Sequence, residues 1–509
     1  MDLRLRLDGR APRRWHATLM TRLMRLPGIA LDLDASPGPG GLPDNAALLF
    51  RLEALIGRVP ANGPSAPLPP DALRAYPAPR DATPDLVIDL CGDVVAGAAP
   101  RVWTLRFDGV AGEEGLLACL LDGRMPVATL AEDGRTHVAA RLGTESIGAA
   151  LISFEDALAR VTTLIVAAVS QHEPAMPQGG AVVPTPPPPP DLGLPALARR
   201  ATRMLAWAVL RRIYHLCYRA PHWRVGWRHL TGPDLVDLRA LPGTGWHDLP
   251  DDGHRFYADP FAIDHGGRTV LFVEDYEHAR GKAIISAVAF DENGPVGTPV
   301  PVLDEPYHLS YPFVFARDGQ VWMIPEGSAN GTVDLYRATA FPGGWVKEAT
   351  LLSGLTAGDV TLLEHAGRWW MFATVRDVHA DHDGGPVRGS YSDALHLWSA
   401  PDFRGPWTAH AHNPVLIDIA SARPAGHIVA RDGVLIRPVQ DGRRGYGEAL
   451  ALARIDRLDD DGFGQTVETT VRAGPGWRGK RFHTLNRSER FEFIDGSGRA
   501  PRWPIRGHG

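Results

Sequence analysis

Asp259, Glu326 and Asp359 are the residues whose type and setting suit acid–base chemistry, in "FYADPF", "MIPEG" and "TAGDVTLL". Each lies at an apolar run, two of them beside aromatic residues. Carboxylates held this way on a rigid scaffold suit a pocket that binds sugar hydroxyls or cleaves a glycosidic bond. Arg423, Arg437, Gln440 and Asp441 form a second dense polar group on otherwise apolar strands. Arginine offers a rigid fork for carboxylate or phosphate, while Gln and Asp suit hydroxyls. Glu274, His308, Tyr311, Tyr446 and His483 complete the candidate substrate-binding set. Plainer readings stand beside these. Asp-Pro also makes an ordinary turn, and a buried Arg–Asp pair would only fasten strands.

The elements that must position these residues repeat. "DPFAIDHGGRTVLFVEDY" from Asp259, "YPFVFARDGQVWMIPEGS" from Tyr311, "DVTLLEHAGRWWMFATVR" from Asp359 and "RPAGHIVARDGVLIRPVQD" from Arg423 share one pattern. Each reads as a short apolar strand, a turn ending in Gly and a second strand, with a third strand following. The copies are spaced 52, 48 and 64 residues apart. A weaker copy begins at His483, and "GWRHLTGPDLVDLRAL" near residue 226 can supply its missing strands. Antiparallel sheets at this period predict a propeller, here of five blades. First strands line the channel of a propeller, so the residues that begin the copies should meet at one mouth.

The region before the repeats reads differently. "IALDLDA" and "DLVIDLCGD" predict strands, and "TLMTRLM" and "NAALLFRLEALIGRV" predict helices, together an α/β domain with a largely parallel sheet. The expected fold class is therefore multidomain. An α/β domain covers 1–172, a Pro-rich linker 173–194, an amphipathic connector helix 195–222, an all-β five-bladed propeller 223–500, and a tail 501–509. The linker contains five consecutive prolines. In the helix, Leu197, Met204, Leu205, Ala208, Arg211 and Arg212 show helical spacing with a basic face. This pattern predicts a connector that buries its apolar stripe, or a peripheral membrane contact through 195–219.

Composition narrows the function classes. With 44% hydrophobic and 22% charged residues and a formal charge of −6, the chain reads as globular and not as a nucleic-acid binder. Its three cysteines share no metal-ligand spacing. A reduced cytoplasmic setting is expected, with contact at the inner membrane surface open to the helix. No transmembrane segment, metal site or cofactor is expected, and "HADHD" (379–383) reads as a loop. No P-loop, GxGxxG, HExxH or GxSxG motif is present.

"ADPF", "HLSYP", "MIPE", "ARPAG" and "RPVQD" with "YGE" occur in order between residues 258 and 448. This series resembles the five-bladed propeller at the N-terminus of plant glucosamine inositolphosphorylceramide transferases, over about residues 225–500. That propeller is in turn similar to the fold of glycoside hydrolase families 43, 32 and 68. The resemblance implies Asp259 as base or nucleophile and Asp359 as modulator. Glu326 is the candidate acid, since the fourth copy offers Arg423 where an acid would be expected. The transferase domain of the plant proteins has no counterpart in this chain, so transferase activity does not carry over. "DLVIDLCGD", "RVWTLRFDG" and "GRMPVATLAEDG" are similar in order to the formyltransferase N-terminal fold. Leu105 or Arg106 stands at the His position of that family, no matching Asn follows, and only Asp108 is retained. An inactive scaffold is expected there. Two readings of the propeller follow: a carbohydrate-active enzyme on a glycan or glycolipid, favoured by the acid pair, or a glycan- or glycolipid-binding module, favoured by the missing acid.

Overall fold

The computed structural model describes residues 1–38, 41–60, 62–94, 99–171, 184–376 and 388–503. The "HADHD" segment lies outside them. The chain divides into two compact units: Met1–Trp207 with His379–Asp393 and Pro414–Asp418, and Ala208–Val378 with Ala394–Asn413 and Ile419–Gly509.

In the first unit, strands Ala30–Asp34, Asp2–Arg6, Leu86–Asp89 and Val102–Phe107 pair in parallel, in that order. Val127–Glu132 and Arg135–Arg141 continue the sheet antiparallel. The sheet is mixed, which corrects the largely parallel expectation. For the second of these antiparallel pairings the reason is local. Asp133 and Gly134 both take positive φ, and such a two-residue turn can only return the chain as a hairpin. The long helix Ala150–Ser170, apolar on nearly all faces in sequence, is buried along almost its whole length. Asp108 sits in the left-handed region, fully buried. It accepts hydrogen bonds from Val127 N (2.8 Å), the Cys119 thiol (3.2 Å) and the Arg124 guanidinium. It holds its own turn.

The helix Leu194–Cys217 forms as expected, but its apolar stripe is not packed. Leu197 is its one buried residue, whereas Val209, Ile213 and Leu216 are 57%, 50% and 66% exposed. This corrects the reading of a connector that buries its stripe.

Five antiparallel sheets among the described residues of the second unit make the blades, and a sixth, two-stranded one joins Tyr218–Arg219 to Ala500–Pro501. Blade 1 begins with Arg255–His265, Arg268–Glu277 and Lys282–Asp291. Blade 2 is Ser310–Arg317, Gln320–Glu326, Thr332–Ala340 and Gly343–Ser353. Blade 3 begins with Thr356–His365, Arg368–Arg376 and Ala394–Ala400. Blade 4 is Val429–Arg431, Val434–Asp441, Ala449–Asp459 and Gly462–Val471. In blade 5, Leu485–Arg487 pairs with Phe491–Ser497, which pairs in turn with the early strand Trp223–His229, so the two ends of the ring are joined by β hydrogen bonds. Such closure leaves no gap between the first and last blades.

The first hairpin turns explain the recurrence. Gly266–Gly267, Asp318–Gly319, Ala366–Gly367 and Asp432–Gly433 all have positive φ at both residues, the geometry of tight two-residue β-turns. In blades 1 to 3 a bulge precedes the turn at the same offset, displacing Asp259–Pro260, Tyr311–Pro312 and Asp359–Val360 from the ladder. A bulge re-aims its side chains and sharpens the twist.

Candidate functional site

Asp259, Tyr311 and Asp359, the first residues of three sequence copies, have φ values of 48°, 42° and 52°. Non-glycine residues enter this left-handed region at a cost, Asp least of all and an aromatic more, so surrounding bonds must hold them there. Those bonds run from blade to blade. Asp259 N donates to Asp495 Oδ2 of blade 5 at 2.9 Å. Tyr311 N donates to Asp259 Oδ2 at 3.1 Å, and Asp359 N donates to Glu326 Oε2 at 2.9 Å. Each staple is a carboxylate taking the main-chain N–H that a bulge removed from the ladder.

Further bonds tighten this ring. Arg423 donates from Nε to Asp359 Oδ2 at 2.6 Å and from Nη2 to Asp359 Oδ1 at 3.0 Å. Gln440 Nε2 adds a third donor to Asp359 Oδ2 at 2.7 Å. Nine residues separate Arg423 from the turn residue Asp432, against seven between each of the other three starts and its turn. The extra length puts Arg423 on a loop ahead of its strand. The Tyr311 hydroxyl lies 2.9 Å from Thr361 Oγ1 and accepts Gly426 N at 2.7 Å, tying blade 2 to blades 3 and 4. Thr484 donates its hydroxyl to Asp259 Oδ1 at 2.8 Å.

Glu274 breaks the pattern. In register, Ala258 faces Glu274 and Ser310 faces Glu326, so these acids hold equivalent places on their second strands. Asp495 follows Ile494, which faces Leu485, at the corresponding place in blade 5. Glu326 and Asp495 each accept the N–H of the next blade's bulge. Glu274 does not, because Tyr311 N goes to Asp259 instead. Among the described residues its one polar side-chain partner is His308 Nε2 at 3.4 Å.

The electrostatics follow from burial and crowding. Burial pushes Asp259 up to about 8; His483 opposes this and Asp495 adds to it. Burial pushes Asp359 up to about 7 against the pull of Arg423. Burial alone would discharge His483, but Asp495, accepting from its Nδ1 at 2.7 Å, carries it up to about 9. The same contest raises His308: burial opposes the charge, and the Glu274 hydrogen bond with the nearby carboxylates outweighs it. Burial also raises the Tyr446 phenol well above its ordinary value, with the fields of Asp259, Asp359 and Glu274 adding to the shift. The Arg423 guanidinium lies 5.3 Å from the Tyr446 ring centroid.

The fold thus brings Asp259, Glu274, His308, Tyr311, Glu326, Asp359, Arg423, Gln440, Tyr446 and His483 into one linked group. It does not bring Arg437 there. That side chain is fully buried and donates to Ser421 O, Ala422 O and Gln465 Oε1, bracing the loop that carries Arg423. Asp441 is spent on Arg443, taking its guanidinium at 2.6 and 2.9 Å. Each nitrogen of Arg437 and both oxygens of Asp441 already have partners within the protein, which speaks against the substrate-contact expectation for these two. Two participants were missed in the sequence, Asp495 and Thr484. Asp495 ends "EFID" as Glu326 ends "MIPE", a likeness that would have found it.

Asp259, His483 and Asp495 also present ligand atoms within 4.8 Å of one another, a spacing that suits a metal ion. The Asp495 Oδ1 that would bind already lies 2.7 Å from the His483 Nδ1, so a metal would have to displace this hydrogen bond. The trio fits an internal ion pair better than a metal site.

Residues 250–493 match the family model for glucosamine inositolphosphorylceramide transferase 1, N-terminal. Protein relatives agree with this match. The chain is 30% identical over 239 residues to glucosamine inositolphosphorylceramide transferase 1 of Oryza sativa subsp. japonica, covering 45% of this chain and 31% of the relative. The Arabidopsis thaliana protein of that name is 30% identical over 254 residues, covering 47% and 32%. The chain spans about a third of the length of these relatives. Solved structures similar to it include the GH43_1 enzyme from Xanthomonas citri complexed with xylose, at 14% identity and TM-score 0.36 over 49% of this chain and 88% of that one. A family 117 glycoside hydrolase from Zobellia galactanivorans matches at 14% identity and TM-score 0.34, over 54% and 90%.

Proposed function

We propose that the propeller is a sugar-recognition module whose channel mouth holds a glycan, or the sugar of a glycolipid, through Glu274 and His308. The observation that carries this reading is the release of Glu274. Its counterparts are consumed as staples, whereas Glu274 keeps acceptor capacity beside an imidazole that is two-fifths exposed. A carboxylate next to an imidazole can take two sugar hydroxyls and return one hydrogen bond. Tyr446, partly exposed and edge-on to Trp223, adds an aromatic wall. The other acids are poor catalysts as placed. Asp359 is engaged by Arg423 and Gln440, and burial shifts Asp259 towards its protonated form, which weakens the case for it as the expected base or nucleophile.

The same upward shift of Asp259 also favours a second reading. A protonated Asp259 is the state a general acid needs to cleave a glycosidic bond. The two readings part in one experiment: the full chain is screened against a glycan array and bound glycans are followed for hydrolysis. Recognition predicts binding without product, and a loss of about ten-fold or more in affinity for Glu274→Gln. Product that disappears in Asp259→Asn supports cleavage. No bound glycan, or Glu274→Gln binding as the parent does, rejects the recognition reading.

The remaining proposals are coarser. No helix of the described residues is long and apolar enough to cross a membrane. The exposed stripe of Leu194–Cys217 supports a peripheral membrane contact in a cytoplasmic protein. The consumed carboxylate of Asp108 supports reading the N-terminal unit as a formyltransferase-like scaffold without transfer chemistry.

A further inference from the structure

We propose that a basic pocket of the second unit, beside the channel mouth and separate from its acids, binds a phosphoryl group. The pocket has a volume of about 510 Å³, and its lining includes Arg224, Arg478, Lys480, Arg481 and Arg499 but no acidic side chain. In a chain of net charge −6, five cations around one cavity need an explanation. Elsewhere in the propeller arginines are commonly matched with carboxylates, as Arg228 is with Glu492 and Arg255 with Asp275. Arg478, Lys480 and Arg499 have no acidic partner among the described residues. Arg481 spends one nitrogen on Tyr446 O at 2.6 Å.

Arg224, whose side chain is 18% exposed, supplies a partly buried anchor. Its Nη1 donates to Asp248 Oδ2 at 2.8 Å, while its Nε is buried with no hydrogen-bond partner. A buried donor without an acceptor is costly, and an anion in the pocket would relieve it. Gly498 leaves room at this place. A Cβ there would stand 2.8 Å from Arg224 Nε and 3.0 Å from Nη2. Four cations without a full counter-charge call for more than one negative charge. Phosphate carries about −1.5 to −2 at neutral pH, with oxygens suited to guanidinium forks.

Trp223 joins this pocket to the sugar reading without making one depend on the other. Its indole lines the pocket and stacks on His483, with centroids 4.2 Å apart and planes 13° from parallel. Tyr214 also lines the pocket, from a helix whose Val209, Leu210, Ile213 and Leu216 are at least half exposed. Apolar side chains next to a phosphate site suit a lipid headgroup, although a soluble phosphate ester offers the same chemistry.

The test uses the full chain with two probes, inorganic phosphate and phosphatidylcholine vesicles with or without phosphatidic acid. Arg478→Gln, Lys480→Gln and Arg499→Gln are combined, all three residues being exposed, and Arg268→Gln, Arg472→Gln and Arg490→Gln together serve as a charge control outside the pocket. The proposal expects phosphate binding that weakens about ten-fold or more in the triple variant and in Gly498→Ala but not in the control. Vesicle binding that needs phosphatidic acid and is lost in the same variants identifies a lipid source. Phosphate binding without vesicle binding identifies a soluble one. The proposal is overturned if neither probe binds the parent, or if the triple variant and the charge control lose binding equally.

Discussion

Arg423 grips Asp359 through two parallel hydrogen bonds, joining the loop ahead of blade 4 to the bulge of blade 3. Both side chains are almost wholly buried, at 8% and 3% exposed. Such a pair does little for net stability against an apolar equivalent, yet breaking it strands a charge. Arg423→Met should therefore destabilise the propeller by about 3–5 kcal/mol in urea unfolding. Arg423→Met with Asp359→Leu should recover much of that loss. Equal loss in single and double variants would show that the pair's charge is not the issue.

Asp259 separates its conformational task from its charge. Asn tolerates a positive φ and can present its oxygen to Tyr311 N while its amide donates to Thr484 Oγ1. Asp259→Asn should keep its melting temperature within a few degrees of the parent. Asp259→Ala fits the backbone less well and orphans Tyr311 N, at a cost of about 1–3 kcal/mol. Chemical denaturation of the two variants ranks them directly.

Tyr311→Phe should cost about 1–3 kcal/mol, because the buried Gly426 N–H loses its acceptor. Native-state hydrogen exchange reads this locally. The Gly426 amide should lose protection while amides in the outer strands keep theirs.

Stability should fall as pH rises from about 6.5 to 8. Asp259 and Asp359 are raised from 3.8 to about 8 and about 7, and His483 from 6.5 to about 9. A group whose folded pKa is raised holds its proton in the native state after the unfolded chain has lost it. The folded state binds more protons in this window, so unfolding free energy declines with pH. Each such group contributes up to about 1.4 kcal/mol per pH unit. Unfolding followed across pH should show this decline. His483→Gln should flatten it, and a profile that rises through the window would contradict the assignment.

Much of the propeller was legible because its information is local. The copies beginning at Asp259, Tyr311 and Asp359 place apolar alternation, a two-residue turn and a polar strand end at fixed offsets. Turn chemistry and period-2 patterning act within a few residues, so strand, turn and blade follow from neighbours in the chain. The same locality exposes the error in the first unit. The turn chemistry of Asp133–Gly134 already required an antiparallel hairpin, which a largely parallel sheet omits.

By itself the sequence determined five repeating sheets, a closing strand near residue 226 and the set of polar side chains near one end of the ring. Tertiary structure alone decided what each of them does. Arg437 and Arg423 look alike as residues on one apolar segment, yet one braces a loop and the other grips an acid 64 residues away. Glu274, Glu326 and Asp495 hold equivalent strand places, and only the path of Tyr311 N sets Glu274 free. These outcomes depend on which donor lies within about 3 Å of which oxygen across neighbouring blades. Such distances are fixed by ring closure and bulge geometry, which involve residues far apart in the chain.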